Sequence, residues 1–208
     1  MMTDAAKTLT IASGSAIILS CVLILSRNSV PTAILHASNQ GAPVTTLPAV
    51  APSNQIYDIH SPDGTKTLVL VSLPSSDGSI TYAIHTSDVG GANAKKIYAL
   101  TLGKGSSVNL SPNSWSPDNA FVYFTVKTPG GEQVLIVQAD GTVFGDGQTS
   151  IDLAALFGSY TTEFTFREVT GWDAPGLLHV FTYNADGTKG PAFWFDVASR
   201  SFIELANS

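Results

Sequence analysis

The sequence predicts an all-β domain of about three antiparallel four-stranded sheets, preceded by one transmembrane helix. Three observations carry this: short aromatic and β-branched runs of strand length, tight-turn residues between them, and a loose internal repeat. The repeat is clearest at Trp115-Ser116-Pro117-Asp118-Asn119, followed by the apolar run Ala120 to Val126. Proline presets φ at the second turn position, and Asp and Asn tolerate the tight or left-handed positions after it. The run that follows is aromatic and β-branched, which suits a pleated strand.

Composition narrows the class. The chain has 208 residues, 44% of them apolar and only 12% charged, against about 25% charged in an average soluble chain. With a mean hydropathy of +0.20, that shortage of charge points to a membrane-linked or extracytoplasmic protein. The net charge of −6 leaves no basic stripe for a phosphate backbone, so no nucleic-acid partner is expected. Cys21 is the only cysteine and lies in the N-terminal apolar run, which excludes an intrachain disulfide and a thiol-based zinc site.

Residues 1–7 read as a short cytoplasmic tail and residues 8–26 as the transmembrane helix. The uncharged run from Thr8 to Ser26 makes roughly 28 Å of helix, close to the ~30 Å hydrocarbon thickness. The rivals are a cleaved signal peptide built on the dense run Ala16 to Leu25, and a lipidated Cys21 in Ile18-Leu19-Ser20-Cys21. No small-x-small site directly follows the dense run, and Val22-Leu23-Ile24-Leu25 stays apolar past the cysteine; both favour a retained signal-anchor. With Lys7 and the amino terminus opposing Asp4 on one side and Arg27 alone on the other, charge orients the helix weakly. The polar domain is the exported cargo, so the N-terminus is placed inside. Residues 27–54 carry Pro31, Pro43, Pro48 and Pro52 among Ala, Ser and Thr, and read as an extended stalk.

The domain is read as residues 55–208. In its first unit, Tyr57-Asp58-Ile59-His60 leads into Ser61-Pro62-Asp63-Gly64-Thr65-Lys66, and Thr67 to Leu73 is a continuous apolar strand. A turn at Asp77-Gly78 returns Ile80 to His85, and Lys96 to Leu102 is a fourth, outer strand. The second unit carries the Trp115 stretch, a turn at Pro129-Gly130-Gly131, a strand from Gln133 to Gln138 and a turn at Asp140-Gly141. Ser150 to Gly158 reads as an inserted short helix, with Ser150 as N-cap and Gly158 as stop. The third unit runs from Thr161 through Trp172-Asp173-Ala174-Pro175-Gly176 to strands at Leu177 to Tyr183, Ala192 to Val197 and Phe202 to Leu205. Four strands joined by tight turns make a propeller-blade-like unit. The period is loose, roughly 55 residues against about 40 to 45 in a typical blade, so each repeat carries extra loop.

Ser61-Pro62-Asp63-Gly64-Thr65-Lys66 and Trp115-Ser116-Pro117-Asp118-Asn119, each followed by an apolar strand and a strand ending in a tight turn, resemble the WD40-like β-propeller repeats of TolB-like periplasmic proteins. The same repeats occur in the propellers of prolyl oligopeptidase-like peptidases. The resemblance implies a four-stranded antiparallel sheet per unit and a protein-binding scaffold, and it carries no catalytic residue. Two departures stand out: the third unit replaces the Ser-Pro-Asp-Gly run by Trp172-Asp173-Ala174-Pro175-Gly176, and three units are present where such propellers usually have six or more blades.

Few side chains offer chemistry. His36, His60, His85 and His179 are the only histidines, with His60 and His179 near equivalent places in two repeats; a metal would need them to converge with Asp58 or Asp63. Ordinary strand and turn hydrogen bonding is the expected reading, and no metal or cofactor is expected. Asn184-Ala185-Asp186-Gly187 and Asp77-Gly78 lack the spaced ligands of a calcium loop and read as hairpin turns. No Gly-x-Ser-x-Gly elbow, His-Glu-x-x-His or P-loop pattern is present, so catalysis is not expected. Trp172, Trp115 and Trp194 are the candidate ligand or partner contacts, each weighed against simple core packing. The expectation is a membrane-anchored, periplasmic-type protein-interaction scaffold; a carbohydrate or cell-wall binding module on the same scaffold is the alternative. Its partners would be the membrane, through the helix, and an envelope protein or a second copy completing a six-blade ring. Open strand edges at Gln55 to Asp58 and Ser201 to Leu205 motivate the last expectation.

Overall fold

The computed structural model describes residues 55–206. The predicted tail, transmembrane helix and stalk lie outside these residues. Among the described residues, no helix is long and apolar enough to cross a membrane.

The described chain is mostly β, in three four-stranded antiparallel sheets that each keep chain order. The first sheet holds β1 (Gln55–His60), β2 (Lys66–Pro74), β3 (Ile80–Asp88) and β4 (Lys95–Leu102). The second holds β5 (Ser107–Asn109), β6 (Phe121–Thr128), β7 (Gly131–Gln138) and β8 (Ile151–Asp152). The third holds β9 (Thr165–Ala174), β10 (Leu177–Tyr183), β11 (Lys189–Asp196) and β12 (Ser201–Glu204).

The second sheet lies between the other two, and its side chains divide by parity because successive strand residues point to opposite faces. Val122, Phe124 and Val126 of β6, with Leu135 and Val137 of β7, join Leu68, Leu70, Tyr82 and Ile84 of the first sheet in one buried cluster. Tyr123, Val134 and Ile136 join Leu178, Val180, Phe193 and Phe195 of the third sheet in another. Burial on both faces is why Val134-Leu135-Ile136-Val137 is apolar without a break. Each outer sheet buries one face and alternates accordingly, as in the buried Leu178, Val180 and Thr182 of β10.

The single helix among the described residues, α1 (Leu153–Tyr160), starts later than expected. Ile151 pairs with Ile136 as part of β8, which takes the expected first turn into the sheet. Asp152, not Ser150, is the N-cap, its carboxylate accepting from the Ala155 N–H at 3.1 Å. The helix runs through Gly158 and ends at Thr161. Its buried Phe157 meets Phe193 and Phe202 edge-on, with ring centroids 5.3 and 5.0 Å apart.

The expected exposure at strand edges extends to sheet faces. Strands β1 and β12 are edges of their own sheets, and beyond those edges the described residues leave uncovered a whole face of the first sheet and a whole face of the third.

Phe124 is fully buried and packs against Tyr98 at a centroid distance of 5.5 Å. Phe124→Ala should therefore cost about 3 to 5 kcal/mol in chemical unfolding; a loss below about 1 kcal/mol would contradict the two-sided core.

Candidate functional site

The turns entering β2 and β6 are wired alike and lie side by side. In the first, Ser61 N donates to the Lys66 carbonyl and Lys66 N to Ser61 Oγ, both at 2.9 Å; Ser61 Oγ donates to Asp63 Oδ1 at 2.7 Å. In the second, Ser116 N donates to the Phe121 carbonyl, Phe121 N to Ser116 Oγ, and Ser116 Oγ to Asp118 Oδ1 at 2.6 Å. Both serines are buried, so their hydroxyls need these partners. The left-handed position falls on Gly64 in one turn and Asn119 in the other, with φ of 70° and 58°. Asn119 Nδ2 reaches across to Asp63 Oδ2 at 2.8 Å, tying the two turns together.

A second set of bonds repeats from sheet to sheet. The Trp115 indole N–H donates to the Ile59 carbonyl at 3.3 Å, and the Trp172 indole N–H to the Ser114 carbonyl at 3.1 Å. Each tryptophan thus reaches back to the preceding sheet, to the carbonyl just before that sheet's own residue in the tryptophan position. Asn113 Nδ2 adds a bond to the Thr170 carbonyl at 3.1 Å. This close approach explains Gly171: its φ is 147°, and a Cβ there would stand 3.1 Å from Asn113 Cβ.

Between these turns runs a groove of about 400 Å³ lined by Pro62, Pro117, Trp115, Trp172, Asn113 and Asp173. Two of the three candidate tryptophans meet here. Trp115 is a core residue, 3% exposed. Trp172 is half-buried, with its ring stacked on Phe121 at 6.1 Å. Trp194 stands apart on the uncovered face of the third sheet, its indole N–H donating to Asp173 Oδ2 at 2.6 Å. His179 Nδ1 lies 3.1 Å from the same carboxylate oxygen.

The described histidines do not converge. His60 occupies the place of Trp115 and Trp172 at the end of β1, whereas His179 is the third residue of β10, so the expected equivalence fails. His60 Nδ1 lies 3.2 Å from Thr67 Oγ1. His85 is in β3, and His36 lies outside the described residues. Among the described residues, no group of three or more His, Cys, Asp or Glu could hold a metal ion. Asp77 and Asp186 accept from Ser79 and Thr188 as turn residues, with Gly78 and Gly187 at positive φ. A larger groove, about 550 Å³, opens between the first and second sheets and is lined by Tyr57, Leu70, Tyr82, Val108, Asn109 and Leu110. Sequence reasoning missed it because the three-residue β5 has no strand signal; the shared face of Tyr57 and Leu70 was the available clue.

The Asp63 carboxylate is held well below the usual carboxylate range, first by the Thr65 backbone N–H and then by Ser61, Asn119 and Thr65 side chains. A lowered folded-state pKa means that this contribution is complete above the ordinary aspartate range and fades as pH falls through it. Melting curves from about pH 6 to about pH 2 should show a shallower acid limb in Asp63→Asn than in the parent. Identical acid limbs would contradict the assignment of these bonds to Asp63.

No protein-family model matches the chain, and no curated protein matches it significantly.

Proposed function

We propose that the chain is a membrane-anchored, extracytoplasmic protein-interaction scaffold of the propeller-repeat type, which works by binding and not by catalysis. The observation that carries this reading is the pair of uncovered faces at the two ends of the stack. Each exposes apolar side chains among polar ones, and exposed apolar patches rimmed by polar residues mark interaction surfaces. Ile203 on the third sheet is 46% exposed and Ile56 on the first 70%. The wiring within the groove supports the same reading, because the Asp173 carboxylate and the Trp115 and Trp172 indoles are committed to structural bonds.

The anchor part of the proposal rests on the uncharged Thr8 to Ser26 run and the charge-poor composition. A carbohydrate or cell-wall binding module is the second reading, favoured by the half-buried Trp172 beside Asn113 and Asp173 in the groove. Glycan binding lost in both Trp172→Ala and Asp173→Asn would support it over the first.

Protease added outside intact cells should remove the domain and leave the apolar segment in the membrane. A mature chain starting near Asn39, or one lipid-modified at Cys21, would contradict the signal-anchor.

A further inference from the structure

The stack has a direction. Strands β2, β6 and β10 begin at Lys66, Phe121 and Leu177 and occupy the same place in their sheets. Their third residues are Leu68, Tyr123 and His179, and their fourth are Val69, Phe124 and Val180. Leu68 packs toward the second sheet and Tyr123 toward the third. Phe124 packs back toward the first sheet and Val180 back toward the second. The third-residue face thus always meets the fourth-residue face of the next sheet.

This rule leaves one face of each kind unused. The third sheet presents His179, Phe181 and Trp194, which share a face because His179 pairs with Trp194. The first sheet presents Val69, Val71 and Ala83, with Val71 paired to both Ala83 and Ile56. None of these six residues belongs to either buried cluster. The first of these surfaces centres on aromatic rings, with Glu168 paired beside Phe181; the second centres on small and β-branched side chains, with Asp58 and His85 paired beside Val69. By position they are the two kinds of face that the chain already joins twice.

The repeating inter-sheet bond has positional counterparts on the outer sheets as well. Trp115 and Trp172 donate to the carbonyls of Ile59 and Ser114; on the third sheet the corresponding residue is Gly171. The first sheet carries His60 in the tryptophan position, exposed, with its Nδ1 3.2 Å from Thr67 Oγ1.

We propose that the occupant of both open faces is a second copy of this chain, the His179, Phe181 and Trp194 face of each copy packing on the Val69, Val71 and Ala83 face of the other. Head-to-tail contacts either close or grow into fibres. Two copies contribute six sheets, within the roughly four to eight that close a ring. A two-fold dimer then uses both faces of both copies and leaves none to propagate. The proposal rests on the scaffold reading only in assigning the open faces to binding, and it needs no membrane anchor.

The test is mixing of complementary variants of the full-length chain in mild detergent, read as detergent-corrected mass by light scattering. The parent should have the mass of two chains. Val71→Lys spoils one face in every copy and Phe181→Glu the other, so each variant alone should be a monomer. An equimolar mixture should recover the dimer, since a mixed pair keeps one contact unaltered and sets lysine against glutamate in the other. Recovery also shows that both variants fold; Ile203→Glu, at an exposed position, serves as a milder second probe of the aromatic face. A monomeric parent at high micromolar concentration, growth beyond two chains, or a mixture that stays monomeric would overturn the proposal. So would a dimer broken by Val71→Lys and untouched by Phe181→Glu. A monomeric parent that captures a different envelope protein would leave the scaffold reading intact while removing the ring.

Discussion

Burial of the second sheet on both faces is the constraint on which the rest of the domain depends. Strands β6 and β7 supply alternate side chains to two separate clusters, so each residue from Val122 to Phe124 and from Val134 to Val137 is buried. Neither outer sheet has that arrangement, and each has one packed face and one uncovered face. The two clusters share no side chain, only the backbone of the middle sheet. Replacing Phe124 therefore acts on the first cluster directly and on the second only through the strand that carries both.

Hydrophobic packing alone would let the sheets slide over one another, because it is not directional. The indole bonds from Trp115 and Trp172 remove that freedom, the first tying the turn into β6 to the end of β1 and the second tying β9 to Ser114 in the segment between β5 and β6. The Asn119 to Asp63 bond and the buried Thr86 Oγ1 bond to the Ala139 carbonyl at 2.8 Å add further fixed points between the first two sheets. Between the second and third sheets, Arg200 plays a comparable part, pairing with Asp146 at 2.6 Å while its guanidinium lies over the Phe144 ring. The polar atoms bonded across these seams take their partners from the neighbouring sheet, which makes the spacing between sheets specific as well as tight.

Much of this was legible in the sequence where local chemistry decides the outcome. The turns at Ser61 to Lys66 and at Ser116 to Phe121 announce themselves by Pro, Asp and a left-handed residue, and the strand Leu177 to Tyr183 has the bounds read from its composition. The misses came where tertiary contacts decide. Strands β5 and β8 are three and two residues long and form because β6 and β7 offer them edges. The helix start moved to Asp152 because Ile151 found a partner in Ile136. The part of Trp172 could be guessed from its place in the repeat, but the meeting of Trp115 and Trp172 along one groove, and the separation of Trp194 from it, depend on how sheets stack. The edges at β1 and β12 were legible, but the open faces at the ends of the stack were not, because a strand pattern shows which residues share a face but not which faces find a neighbour.

Native-state hydrogen exchange followed residue by residue bears most directly on the two-sided burial of the second sheet. The slowest amides should be those of β6 and β7, from Val122 to Val126 and from Val134 to Val137, opening only with the whole domain. Amides of β2 and β3, or of β10 and β11, that outlast them would contradict the central place given to that sheet.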